Sequence, residues 1–291
     1  MKVICATDNE YVLPLLVAIY SAKNNAKSDF DVTVAYFPSE LSHENLILLS
    51  KVLEYIGVTF EFKALTLSEH MTQKYHITPT SYSRLLCADQ FTGLVMWLDA
   101  DTLCLPGWDS IYLDDFNIPN NATLSVVRDS IISRSSIKAE KNESIIKMGK
   151  DYFNTGVALI DCDRWKERNF QDQWPQLLVE SNLRGFEYAD QCVLNFMCSG
   201  EVKYISPNYN VFAATRREDP KVLPLILHFA GTKKPWFFSK FDPRILNGLL
   251  LPKDVYKYLK YQTRLIRLVK SQNTALGLSL LREKRRLRRK V

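Results

Sequence analysis

At 291 residues the chain has room for one large α/β domain or a domain with an appendage, and 46% apolar content with 15 Phe, 14 Tyr and 5 Trp supplies a substantial core. That composition excludes a disordered chain, and no apolar run approaches the ~20 residues of a membrane-spanning helix. The formal charge of +6 divides unevenly: residues 253–291 carry thirteen basic groups against Asp254 and Glu283, a net of +11, which leaves 25 basic and 30 acidic groups in the preceding body, a net of −5.

Cys5, Cys87, Cys104, Cys162, Cys192 and Cys198 lie among apolar neighbours with no C-x-x-C pair. They read as buried free thiols in a reducing compartment rather than as a zinc site or disulfide framework. The apolar start Val3 to Ala6 is too short for a secretion signal and meets Asp8 and Glu10 at once, so a cytoplasmic location is expected.

Val3 to Ala6 predicts a first buried strand. The spacing of Val12, Leu15, Leu16 and Ile19 predicts a helix from Tyr11 to Asn25, with Pro14 tolerated in its first turn. Asp31 to Phe37 is β-branched and alternating, a second strand. Leu41 to Ile56 then reads as a helix and Val58 to Leu65 as a third strand. A helix over Pro79 to Gln90 leads into an apolar run from Leu94. Later strands are expected at Thr123–Val127, Tyr152–Ile160, Lys203–Ser206 and Leu225–Phe229, with helices around Trp165–Arg184 and from Glu187 onward. Ser130 to Lys150 is polar and weakly periodic, a surface excursion or lid. The alternation predicts an α/β class fold with a doubly wound, mostly parallel sheet, placing Asp8 and the Asp99/Asp101 pair at one sheet edge.

The run from Leu94 to Leu103 organises the rest. On an extended chain alternate residues share a face, so Asp99 and Asp101 would point the same way with Ala100 between them. Two carboxylates at the end of a buried strand repel and resist desolvation, and a divalent cation removes both problems. A haloacid-dehalogenase phosphatase also presents Asp-x-Asp-Thr after an apolar strand. Such an enzyme needs a late Gly-Asp-x-x-x-Asp, which this chain lacks, and carries its first motif near the N-terminus. A non-catalytic nucleotide-binding protein is the third reading.

Taken in order, Ala6-Thr7-Asp8 with Tyr11, Arg84, Asp99-Ala100-Asp101, Asp129, Asn154-x-Gly156, Asp190-Gln191 and His228-x-x-Gly231-x-x-Lys234-Pro235-Trp236 resemble glycosyltransferase family 8. These are retaining GT-A enzymes that include bacterial lipooligosaccharide galactosyl- and glucosyltransferases and glycogenin. The resemblance runs from Met1 to Trp236. It implies a GT-A fold that moves a hexose, galactose or glucose, from a UDP-sugar to a glycan or glycolipid acceptor, as in lipopolysaccharide biosynthesis. By that resemblance Ala6, Thr7, Asp8 and Tyr11 would form the uridine site, with Asp8 on the uracil edge and Tyr11 stacked on the base. Arg84 and Ala100 would lie beside the donor. Asp99, Asp101 and His228 would hold Mn²⁺ or Mg²⁺, mixed oxygen and imidazole ligands favouring manganese. Lys234 would meet the diphosphate and Gly231 would admit it close to the backbone. Asp129, Asn154, Gly156, Asp190 and Gln191 would surround the sugar. Asp190 and Gln191 are the nearest candidates for a covalent intermediate, and front-face return through an ion pair is favoured because an amide is a poor nucleophile. One departure is Glu10, where relatives often carry a neutral polar residue.

Residues 1–245 are expected to form the catalytic domain and residues 246–291 a basic helical tail. Val255, Tyr258, Leu259, Leu265, Ile266, Leu268 and Val269 among Lys and Arg make Asp254 to Lys270 an amphipathic basic helix. An anionic membrane surface is its expected partner, giving a peripheral enzyme at the inner face of the bilayer, in preference to any specific nucleic acid.

Overall fold

The computed structural model describes residues 1–73, 77–114, 122–129, 151–183, 188–217, 222–239, 242–247 and 250–289. The expected lid, Ser130 to Lys150, lies outside them, as does Glu187.

A seven-stranded sheet runs in the order β3-β2-β1-β4-β7-β6-β8. Its members are β1 (Lys2–Ala6), β2 (Asp31–Tyr36), β3 (Thr59–Ala64), β4 (Leu94–Leu98), β6 (Leu124–Arg128), β7 (Phe153–Asp161) and β8 (Val202–Tyr204). All are parallel except β7, which is antiparallel to both β4 and β6. Alternation along β1 divides the core. Val3 and Cys5 face one layer, with helices α1 (Val12–Asn25) and α2 (His43–Ile56). Ile4 and Ala6 face the other, with α3 (Ser83–Gln90), α4 (Cys162–Glu167), α5 (Phe170–Leu183) and α6 (Ala189–Met197). Local chemistry sets the ends. Ser42 caps α2 by accepting from Asn45 N, and Gly57 closes it at φ +74°. All six cysteines are free and buried.

The Leu94–Leu103 run is not one strand. It breaks after Leu98, turns through Asp99–Asp101, and continues as β5 (Thr102–Cys104) in a second sheet of order β5-β10-β9, with β9 (Val211–Phe212) and β10 (Ile226–His228). Thr102 Oγ1 closes the turn by donating to Asp99 O at 2.8 Å. Simple alternation therefore does not align the aspartates; the turn does. Antiparallel pairing of β5 with β10 places His228 opposite Thr102, one residue beyond Asp101.

The C-terminal segment forms α7 (Pro252–Gln272) and α8 (Thr274–Arg288). Val255, Tyr258, Leu259, Leu265, Ile266 and Val269 on α7 join the same apolar cluster as α1 and α2. The amphipathic pattern read as a separate tail is thus satisfied within the molecule. Arg216 and Asp254 bury an ion pair of 2.5 Å between the loop before β10 and α7. Gly277 lets the helices touch, since a Cβ there would lie 2.6 Å from Lys270 Cα. The outward face keeps Lys253, Lys260, Arg264, Arg267 and Lys270 on α7 and Arg282 and Arg285 on α8, with Arg289 just past its end. Among the described residues no helix is long and apolar enough to cross a membrane.

Candidate active site

The carboxyl ends of β1 and β4, the start of α6 and the exit of β10 enclose a cavity of about 400 Å³. Of the residues expected at the site, all but Thr7 and Gly156 line it, and both stand immediately behind it: Thr7 Oγ1 donates to Asp8 O, and Gly156 lies against His228 and Asp99.

 Trp236, in the same motif as Lys234, stands with its ring edge-on to Tyr11 at 5.6 Å between centroids.

At the β1 end of the cavity, Asp8 Oδ1 accepts from the backbone N–H groups of Glu10 (2.9 Å) and Tyr11 (3.1 Å), which folds the loop after β1 into a tight turn. Its Oδ2 accepts from the hydroxyls of Thr78 (2.9 Å) and Thr80 (3.3 Å). Burial pushes the Tyr11 phenol up from its ordinary value.

The metal-ligand candidates converge. One ligand atom from each of Asp99, Asp101 and His228 lies within 4.8 Å of the others. His228 Nε2 stands 3.2 Å from Asp101 Oδ1 and 3.8 Å from Asp99 Oδ2. On the far side of the ring, His228 Nδ1 bonds Asn210 Oδ1 at 2.9 Å, and Asn210 Nδ2 donates to Asn154 Oδ1 at 2.7 Å. An amide oxygen can only accept, so Nδ1 carries a proton toward Asn210 and Nε2 is the ring nitrogen turned to the carboxylates, where it would offer its lone pair to a cation. Three electron-rich groups aimed at one point fit a divalent cation, and the Asn210 bond is the outer support such a ligand needs. Asp99 Oδ1 is held away by Arg84 Nη2 (2.9 Å) and Trp97 Nε1 (2.7 Å). Gly156 is required by this set: a Cβ on it would lie 2.2 Å from His228 Cε1 and 2.7 Å from Asp99 Oδ2. What approaches that glycine is His228 and Asp99, two of the ligand candidates.

Lys234 Nζ donates to Asp101 Oδ2 at 2.5 Å and to Phe229 O at 2.9 Å. Burial disfavours both charges, but the pair more than offsets it: Asp101 lies well below the usual carboxylate range, drawn down by Lys234 and His228, and Lys234 lies above the usual lysine value. Gly231 adopts φ +87°, the left-handed region that favours glycine, with open space beyond its Cα.

The comparisons with known proteins agree with this geometry. The model of glycosyl transferase family 8 matches residues 2–240. The chain belongs to glycosyl transferase family 8. Among family members, it is 26% identical over 276 residues to a putative glycosyltransferase of Haemophilus influenzae, covering 89% of this chain and 80% of the relative. It is 25% identical over 254 residues to a lipopolysaccharide 1,2-glucosyltransferase of Escherichia coli, covering 79% and 71%. Its fold is that of the crystal structure of the galactosyltransferase LgtC, with a TM-score of 0.73 at 20% identity, covering 91% of this chain and 96% of that one. This is the GT-A architecture, and it leaves the dehalogenase reading without support.

The remaining family 8 motif residues line the opposite wall. Arg84, buried, sits between two carboxylates, hydrogen-bonded to Asp99 and within 2.9 Å of Asp190 Oδ2 as a close but unaligned ion pair. Burial pushes Asp190 up, against the downward pull of Arg84, to about 6. With Tyr188 in the N-cap position, Asp190 stands in the first turn of α6. Ala189 before it holds φ +45°, a conformation that costs a non-glycine residue ~1–2 kcal/mol. Gln191 accepts at Oε1 from Asn154 Nδ2 (2.8 Å) and donates from Nε2 to Asp129 Oδ2 (3.3 Å). Sequence reasoning missed Trp97, Asn210 and the Thr78/Thr80 pair. Asn210 precedes a two-residue strand and carries no spacing signal; Trp97, two residues before Asp99 on β4, is the one that strand alternation could have found.

Proposed function

We propose that this family 8 glycosyltransferase is a retaining hexosyltransferase that moves galactose or glucose from a UDP-sugar to a glycan or glycolipid acceptor. The observation that carries this reading is the His228 imidazole, turned by Asn210 so that its Nε2 meets Asp99 and Asp101 beside the loop after β1 and a buried lysine. Asp99, Asp101 and His228 would hold Mn²⁺, whose positive charge stabilises a diphosphate leaving group. Lys234 would exchange its bond to Asp101 for a phosphate oxygen, adding a second positive group where charge develops. Asp8 and Tyr11 would position the base, and Asp129, Asn154, Asp190 and Gln191 the sugar hydroxyls.

Retention by front-face return fits the side chains at the sugar wall. The bond from the anomeric carbon to the phosphate oxygen breaks, the acceptor oxygen bonds the same face, and the acceptor proton passes to the departing phosphate oxygen. Gln191 Oε1 already accepts from Asn154, and Asp190 is held by Arg84, so neither is poised as a free nucleophile.

The relative from Escherichia coli supports a lipopolysaccharide-type acceptor. The outward basic faces of α7 and α8 support a location on an anionic bilayer, each residue near the surface contributing ~1 kcal/mol. Charge reversal at Lys260, Arg264 and Arg267 tests this in vesicle co-sedimentation without disturbing the apolar face; unchanged binding to anionic vesicles would sink it.

The deciding experiment is donor turnover with Mn²⁺ and a panel of nucleotide sugars, scoring released nucleoside diphosphate with and without EDTA. Metal-dependent UDP release from UDP-galactose or UDP-glucose is expected. No release from any donor, with no UDP binding by calorimetry, would overturn the reading.

A further inference from the structure

Glu10 stands in the loop after β1 as the departure noted from the family resemblance, and the structure gives its side chain a partner 276 residues away. Arg286 Nη1 on α8 donates to Glu10 Oε1 at 2.7 Å, and its Nη2 reaches Asn9 O at 3.3 Å. The same guanidinium is braced from its own helix by Glu283, through Nε at 2.9 Å and Nη2 at 2.5 Å. The loop is held from a second side by Asn9 Oδ1, which accepts from Ser42 N (2.9 Å) and Asn45 Nδ2 (2.8 Å) at the start of α2. These contacts grip the turn whose backbone N–H groups orient Asp8. The ring behind it, Trp236, rests in turn on Tyr258 of α7, 5.6 Å between centroids.

We infer that Arg286 is a positioning residue for donor binding: through Glu10 and Asn9 it fixes the nucleoside loop in its binding conformation, so that the C-terminal helix completes a site it does not line. This rests on the reading of Asp8 and Tyr11 as the nucleoside site. An acidic residue at position 10 is otherwise ill-suited to a loop that receives a nucleotide carrying negative charge. Paired with Arg286, it presents a neutralised edge and becomes an anchor. Preorganisation of this kind raises affinity by lowering the ordering cost on binding, and it acts before chemistry. Arg286 touches none of the reacting groups, so its loss falls on donor KM while kcat at saturating donor is kept.

The test compares UDP affinity by calorimetry and donor KM and kcat for the full chain, Arg286→Gln, Arg286→Lys, and the reversed pair Glu10→Arg with Arg286→Glu. A partly exposed pair of this kind predicts a loss of about two- to fivefold in UDP affinity for Arg286→Gln. Arg286→Lys is expected to recover part of that loss, and the reversed pair to bind more tightly than Arg286→Glu alone. Hydrogen exchange at residues 9–11 of the nucleotide-free protein is expected to quicken in Arg286→Gln. If the parent protein binds UDP and Arg286→Gln binds it equally well, the inference falls while the proposed function stands. If the parent binds no nucleotide, both fall.

Discussion

Replacing Gly156 with alanine puts the metal-site geometry under direct test. The new Cβ would lie 2.2 Å from His228 Cε1, 2.7 Å from Asp99 Oδ2 and 2.9 Å from His228 Nδ1. Carbon atoms pack at about 3.5–4.0 Å, so the imidazole must withdraw by more than about 1 Å. It has little room to do so. Nδ1 is tied to Asn210, and the Phe212 ring stands edge-on 5.4 Å away. The strand carrying the glycine is hydrogen-bonded between β4 and β6. Metal–ligand distances tolerate only ~0.2 Å, so a shift of this size removes the histidine from the set. The expected loss is about tenfold to a hundredfold or more in Mn²⁺ affinity and in turnover, with ~1–3 kcal/mol of stability lost to overpacking. Calorimetric titration of Mn²⁺ in the presence of UDP measures the first, UDP release the second, and chemical unfolding in EDTA the third. A folded Gly156→Ala protein that binds Mn²⁺ with parental affinity and turns over donor normally would refute the assignment of His228 and Asp99 to one ion.

Four further outcomes are expected. Asn210→Ala removes the acceptor that sets the His228 tautomer, and Mn²⁺ affinity should fall about ten- to a hundredfold with the fold intact by circular dichroism. Gln191→Ala should slow transfer without abolishing it; complete loss, with a sugar adduct trapped on Gln191 of the parent and seen by mass spectrometry, would restore the covalent route. Asp190 has its pKa raised from 3.8 to about 6 on folding, so the native state binds the extra proton and this group's contribution to stability declines as pH rises through that interval. Urea unfolding at pH 5 and pH 7.5 should therefore show the stability of Asp190→Asn, relative to the parent, improving at the higher pH; a constant difference would contradict the raised value. Asp254→Ala leaves the buried Arg216 guanidinium without its carboxylate and should cost ~3–5 kcal/mol in the same assay.

The parallel half of the sheet was legible because β1, β2 and β4 are short apolar strands separated by helices with periodic faces. The direction of β7 was not, since an apolar strand reads the same either way and its partners are set by chain connections far along the sequence. The sequence expectation for Asp99 and Asp101 named the right carboxylates for an incomplete reason. Strand alternation was invoked, whereas a turn between two sheets, closed by Thr102, brings them to His228. The residues that support the ligands were the hardest to see. Asn210 acts through hydrogen bonds to His228 and Asn154 from the end of a short turn, and such bonds leave no periodic trace. The amphipathic pattern of α7 was legible, but which surface covers its apolar face was not; α1 and the Trp236 segment lie more than 200 and fewer than 30 residues away, and only the fold brings both to it.

The amides behind the site have a consequence for how its two halves can change. From the imidazole, each donor in turn meets the next acceptor: His228 to Asn210, Asn210 to Asn154, Asn154 to Gln191, Gln191 to Asp129. Every link points the same way, so the thread has a sense, beginning at the ring nitrogen and ending on a carboxylate that can only accept. No single amide can turn over without setting donor against donor on one side and acceptor against acceptor on the other, and turning all three together would set Gln191 Oε1 against the Asp129 carboxylate. Asp129, four side chains away, thereby helps keep His228 Nε2 turned toward Asp99 and Asp101. On the proposed function, a substitution at residue 154, 191 or 129 that altered sugar preference would also be felt at the metal-ligand candidates, coupling the two properties.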